Sequence, residues 1–307
     1  MNPAGGPGQR SGWARVANVS TVPGYLHGLV ADAAVFPPGN TPLDEAVRLH
    51  REHRAAPYAD LVGPLVVGDV HLPDLRAVAE PLDLVVVVSG GAGALEPAVH
   101  WVATNEHLRL RGLQVALRDS ATGETAHNAR RITAAVDHLL ERGALDEEVA
   151  VHVEAPRLYG AEPTRDWLAA LDEVAAADHG LKLRTGGTDA DAFPAPQELA
   201  TCIAAALDRE LRFVCTAGLH HAIRHQDPVT GFSHHGFLNV LLATRASLDG
   251  ADVAEVADVL DETDAAALLS RTDEAGLAGA RRWFTGFGSC SVLDPVHDLT
   301  ALGQLRA

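Results

Sequence analysis

One residue type in this chain is scarce enough to invite a chemical explanation. Against 23 arginines there is a single lysine, Lys182. Wherever a positive charge suffices, arginine supplies it, so the exception suggests a task that arginine cannot perform. Arginine stays protonated in proteins, whereas a lysine that is desolvated or set near a second cation is available as a neutral, nucleophilic amine. Lys182 sits in the run Leu181-Lys182-Leu183-Arg184-Thr185-Gly186-Gly187. Read as a strand, this run sends Lys182 and Arg184 to one side and the two leucines to the other, with the cations one pleat repeat, roughly 6 to 7 Å, apart. The leucines suit a helix-covered face, so the cations are expected on the opposite, inner face. There Arg184 and desolvation would both favour the neutral amine of Lys182.

Other reactive side chains cluster in the same part of the sequence. The preceding apolar run carries His152 and Glu154 at alternating positions, where Glu154 could serve as acid or base beside the amine or simply as an ion-pair partner for a cation. After the next run come Thr216, Gly218, His220 and His221, and the last run ends in the small, hydroxyl-bearing turn Gly288-Ser289-Cys290-Ser291. Thr185, Gly186, Gly187, Thr216, Gly218, Gly288, Ser289 and Ser291, with His152, His220 and His221, form the expected substrate-binding set. Asp32, the lone carboxylate in Val30-Ala31-Asp32-Ala33-Ala34, needs a partner or a task in so apolar a setting and is taken as a further proton carrier. Gln114 and Arg118 share one parity on the fourth run and are candidates for lining the site. Five histidines fall between His220 and His235, namely His220, His221, His225, His234 and His235. Neutral imidazoles can bind a transition metal, but no HxH or HExxH spacing is present, so no metal is assigned. The segment Arg224 to Ser233 reads as a loop able to act as a lid.

The elements that must position these groups follow from periodicity. Strand-length apolar runs are expected at Leu29–Phe36, Leu61–Val67, Leu82–Ser89, Gly112–Leu117, Val149–Ala155, Leu181–Thr185, Arg212–Thr216 and Trp283–Gly288, alternating with helical patterns. The helical segments are expected near Leu43–His53, Pro73–Ala79, Leu95–Glu106, Thr125–Arg142, Thr164–Ala177, Pro196–Asp208 and Gly236–Ser247. The last gap adds Ala251–Glu262 and Asp264–Ser270, and a final helix is expected over Pro295–Leu305. Eight strand-helix repeats with near-continuous Val/Leu strands favour an α/β fold closed into a single (β/α)8 TIM barrel. An open, doubly wound sheet is the alternative, but the turn after the first strand reads Phe36-Pro37-Pro38-Gly39 and lacks the GxGxxG of a dinucleotide site. In a barrel the active site lies at the C-terminal ends of the strands, where the residues named above are found.

Composition bounds the rest. The 307 residues carry 41 acidic and 24 basic side chains, a net charge of −17, which argues against nucleic acid and anionic lipid as partners. No apolar run approaches the length of a membrane span. Three widely spaced cysteines, Cys202, Cys215 and Cys290, indicate neither a disulfide framework nor a structural zinc site. Residues 1–20 read as a flexible tail and 21–307 as one barrel domain, and a cytoplasmic location is expected. A homo-oligomer stays open.

The ends of the last three strands resemble the deoxyribose-phosphate aldolase family and, through it, the class I aldolases of barrel fold. Lys182-Leu183-Arg184-Thr185-Gly186 is similar to that family's Lys-Thr-Ser-Thr-Gly motif, whose lysine forms the Schiff base. Val214-Cys215-Thr216-Ala217-Gly218-Leu219-His220 compares with Lys-Ala-Ser-Gly-Gly-Ile-Arg, Gly288-Ser289-Cys290-Ser291 with a phosphate-binding Gly-Thr-Ser-Ser turn, and Val153-Glu154-Ala155 with Ile-Glu-Thr. The resemblance covers the C-terminal half. The family's second lysine falls on Val214, so its task would pass to Arg184, and its strand-seven phosphate contacts fall on His220 and His221, which leaves open whether a substrate carries phosphate. The resemblance implies a lyase in which Lys182 forms an imine with a small carbonyl substrate, with Glu154, Asp32 and Arg184 assisting and no organic cofactor. Two other functions stay open at this point: metal-assisted hydrolysis or isomerisation by the His220–His235 cluster, and a non-catalytic binding barrel.

Overall fold

The computed structural model describes residues 22–117, 124–160, 162–271 and 273–305. Eight parallel strands close into a barrel: β1 (Val30–Asp32), β2 (Val62–Gly68), β3 (Leu82–Val88), β4 (Leu108–Ala116), β5 (Ala150–Glu154), β6 (Gly180–Arg184), β7 (Phe213–Thr216) and β10 (Phe284–Ser289). Each strand pairs with the next in sequence, and β10 closes the ring between β7 and β1. Two short strands, β8 (His225–Gln226) and β9 (Ser233–His234), form a separate antiparallel hairpin. The expected tail over residues 1–20 and Arg118 lie outside the described residues.

Among the described residues ten α-helices cover the barrel: α1 (Leu43–Ala55), α2 (Leu95–Ala103), α3 (Thr125–Glu141), α4 (Arg165–Ala176), α5 (Pro196–Leu207), α6 (Phe237–Leu248), α7 (Val253–Asp261), α8 (Ala265–Leu269), α9 (Glu274–Ala280) and α10 (Leu293–Ala301). Their starts follow local chemistry. The Thr164 hydroxyl accepts from the Trp167 amide at the head of α4, and Asp252 with Glu255 forms a reciprocal capping box on α7. The helix expected at Pro73–Ala79 is instead a 3-10 stretch over Asp69–Ala77, because Pro73 has no amide hydrogen to contribute to an α-helical ladder. The lid segment expected as a loop is the β8–β9 hairpin, its turn held by Asp227, whose carboxylate accepts from the Val229 and Thr230 amides.

Two faces of the barrel wall can be assigned from contacts. Phe287 of β10 stacks on Phe237 of α6 with ring centroids 4.8 Å apart, so its parity faces the helices. The register carries that parity to Cys215, Leu183, Leu181 and Val153, all buried. The opposite parity faces the lumen, and several of its residues are only partly buried: Val85 and Val87 on β3, His152 and Glu154 on β5, and Val214 and Thr216 on β7. Barrel interiors are usually filled by layers of large side chains. Here Gly112, Gly180, Gly286 and Gly288 occupy inward positions, and the interior keeps accessible polar surface.

Candidate functional site in the barrel lumen

Alternation along β6 places Lys182 in the lumen, buried, with its Nζ 2.8 Å from Glu154 Oε2 on the neighbouring strand. The pairing follows from register, since Glu154 and Lys182 stand directly opposite each other. Arg184 lies one repeat higher at the rim, 47% exposed in its side chain, with Nη1 3.6 Å from Glu154 Oε1 and Nε donating to the Gly186 carbonyl at 3.2 Å. Glu154 therefore divides its two oxygens between the two cations. Burial pushes its carboxyl up, but Lys182 and then Arg184 more than offset this and hold it below its usual range. A shared carboxylate thus stands between the two cations and offsets the direct lysine-arginine repulsion expected from the sequence.

Below this pair the lumen continues to His152, whose ring lies over Gly180. A Cβ at Gly180 would come within 2.6 Å of His152 Cδ2, so glycine there makes room for the imidazole. Burial, reinforced by Lys182 and His179, lowers the His152 pKa to about 4, which keeps the ring neutral near pH 7. Gln114 faces the same space, opposite His152 in the register. It is buried, and its Oε1 has no hydrogen-bond partner. A buried acceptor without a donor is costly, so this amide weakens the packing around it.

Thr216 reaches the inner face at the top of β7, and Gly288 stands beside it in the register. Thr185 does not face a ligand: it is fully buried and its hydroxyl donates to the Ala217 carbonyl at 2.6 Å. Gly186 and Gly218 are similarly structural. A Cβ on Gly186 would meet Gly218 Cα at 2.9 Å, and Ala217 and Gly218 both have positive φ, 64° and 76°. Only a backbone this bare lets the β6 and β7 turns cross so closely. Gly187 follows in the same turn, partly exposed.

Asp32 is displaced from its expected position. The register pairs it with Ser289 and Leu65, on the helix-facing parity, and its Oδ2 lies 3.0 Å from Nδ1 of His50 on α1. It is a buried acid partnered outside the lumen, away from Lys182. Ser289 also falls on the outward parity; its hydroxyl donates to the Ser291 carbonyl at 2.7 Å and lies 3.2 Å from His220 Nδ1.

The histidines gather at the rim. His221 Nδ1 lies 3.0 Å from Asp298, His225 Nδ1 3.2 Å from the Ile223 carbonyl and His234 Nδ1 3.1 Å from the Gly218 carbonyl. His221 and His225 meet edge to face at 4.6 Å. His235 is buried apart from them, with Nε2 2.8 Å from the Pro194 carbonyl. Among the described residues no three His, Cys, Asp or Glu side chains are arranged to hold a metal ion. Sequence reasoning missed Asp294 and Asp298, which reach back from α10 to His220 and His221. Their i, i+4 spacing immediately after the last strand was the available signal, since it puts both on one helix face.

Fold and site together define a (β/α)8 barrel with a lysine-carboxylate pair in an accessible lumen, an architecture that commonly hosts enzymes. No family model matches the chain, and comparison with curated proteins and with solved structures finds no match. Among the described residues no helix is long and apolar enough to cross a membrane.

Proposed function

We propose that this barrel is a lyase of the class I aldolase type, acting through an imine between Lys182 and a small carbonyl substrate. The observation that supports it best is the placement of the only lysine in the chain, inside the lumen and within hydrogen-bond reach of a carboxylate able to take its proton. In the resting state Lys182 and Glu154 form an ion pair. A carbonyl compound entering from the rim brings its carbon to Nζ. As the C–N bond forms, Glu154 accepts the ammonium proton and the substrate oxygen is protonated to a carbinolamine. Loss of that hydroxyl as water leaves the protonated imine, which draws in the electron pair of a breaking C–C bond as the enamine forms. A base removes the proton from the departing hydroxyl so that it leaves as a carbonyl. Reprotonation of the enamine and hydrolysis of the imine then restore the amine and release the second product.

The surroundings suit this chemistry. Neutral His152 adds no charge that would repel an iminium, and Arg184 at the rim offers free N–H groups to an electronegative part of the substrate. The test is to incubate the protein with a panel of small aldehydes and ketones in the presence of borohydride and to record intact mass. A cognate compound should add its own mass less one oxygen, once per chain. If no compound gives an adduct above that of the Lys182→Arg variant, which retains the N-terminal amine, the imine reading fails.

A further inference from the structure

A second polar cavity opens on the opposite end of the barrel, between the C-terminal half of α1 and the N-terminal ends of β2, β3 and β4. Its volume is 300 Å³, and its lining includes His50, Arg51, Arg54, Pro64, Asp83 and Arg109. Three guanidinium groups thus converge on one depression in a chain whose net charge is −17. One carboxylate, Asp83, stands among them, paired with Arg109 at 2.9 Å.

Two features show donors prepared for an acceptor that the chain does not itself supply. First, Arg51 Nε is buried and has no hydrogen-bond partner. The Glu80 carboxylate lies 3.4 Å away, but it is 70% exposed and does not line up with the N–H. The rest of the guanidinium makes no hydrogen bond among the described residues and the side chain is 37% exposed, so its terminal N–H groups are left to an oxyanion in the cavity. Second, the wall is rigidly built. Asp32 holds His50 at Nδ1, with both side chains 4% exposed or less, and so fixes the imidazole that lines the cavity. Arg54 is anchored through Nη1 to the Ala59 and Val62 carbonyls at 3.0 and 2.5 Å, while its Nε and Nη2 make no hydrogen bond among the described residues. This also gives the Asp32–His50 pair a task outside the lumen.

We infer that this cavity binds a small oxyanion, a phosphate or carboxylate group, at a site separate from the Lys182 lumen. Arginine forks match both groups, and charge-assisted hydrogen bonds of this kind are the strong ones. The inference does not rest on the imine chemistry proposed above.

The experiment is a calorimetric titration of the full chain at low ionic strength with inorganic phosphate and, in a second arm, with malonate. The wild type should bind at least one of them, the tighter arm identifying the group. The Arg51→Gln/Arg109→Gln double variant should lose about tenfold or more in affinity, while Lys182→Arg binds as wild type does. Arg51 is partly exposed, 37% in its side chain, and Arg109 is 50% exposed, so the fold should survive, which an unchanged circular dichroism melt would verify. A wild type that binds neither anion, or a double variant that binds as tightly as wild type, would overturn the inference.

Discussion

Glu154 and Lys182 stand opposite each other on adjacent parallel strands, with Oε2 2.8 Å from Nζ inside the barrel. Because the lysine is buried and the carboxylate largely so, the pair cannot be treated as a surface salt bridge worth little. Removing one member leaves an uncompensated buried charge. Glu154→Gln should therefore cost about 3 kcal/mol of stability, readable by urea denaturation at neutral pH. A loss within about 0.5 kcal/mol would mean that solvent screens the pair as it does exposed ones.

The same carboxylate sets an acid limit. Its folded pKa lies below its ordinary value of 4.5, so the unfolded chain binds the proton first as pH falls. The stabilisation is present in full above about 4.5 and is lost as pH drops through the lower folded value. Glu154→Gln should remove that part of the acid slope. A variant with the wild-type slope below 4.5 would contradict the assignment.

Histidine acts at higher pH with the same sign. Burial lowers both His152 and His235 from 6.5 to about 4. Their neutral forms cost nothing above 6.5, but between 6.5 and about 4 the unfolded chain takes protons that the folded chain refuses. Stability should fall across this window and His152→Gln should flatten the fall. An equally steep profile in the variant would show that His152 protonates in place.

Gln114 offers a test of the cost of an unpaired buried amide. With its Oε1 buried and lacking a partner, replacement by leucine should leave the melting temperature unchanged or raised. A marked drop in melting temperature would show that the amide has a structural partner.

The placement of Gly180 under the His152 ring predicts a packing penalty. Gly180→Ala would bring Cβ within 2.6 Å of His152 Cδ2 and 3.1 Å of the Arg212 carbonyl. A loss of about 1 to 3 kcal/mol is expected, measured by thermal or urea unfolding. An unaffected variant would mean that the ring moves freely.

Much of this was legible in the sequence because it depended on one strand at a time. Parity alone put Lys182 and Arg184 on one face, and the matching parity of His152 and Glu154 brought the carboxylate to the amine. Asp32 was misplaced for the complementary reason. A single charge in a three-residue strand reads the same on either face, and the partner that decides its side, His50, lies 18 residues away on α1. Helix α9 carries Gly276 and Gly279, which disfavour a helix locally, and so was not expected, although tertiary packing against α6 holds it. The roles of Thr185, Gly186 and Gly218 depend on how closely two turns cross, a distance that no local pattern encodes.

The central claim rests on covalent chemistry at one nitrogen, and a chain with a single lysine allows it to be tested at that atom. After borohydride reduction with the best carbonyl compound of the panel, peptide mapping should place the adduct on Lys182. The Lys182→Arg variant, which keeps the charge but cannot form an imine at neutral pH, should be folded and lack both adduct and turnover. Mapping of the adduct to the N-terminal amine alone, or turnover by the arginine variant at a rate comparable with wild type, would contradict the account.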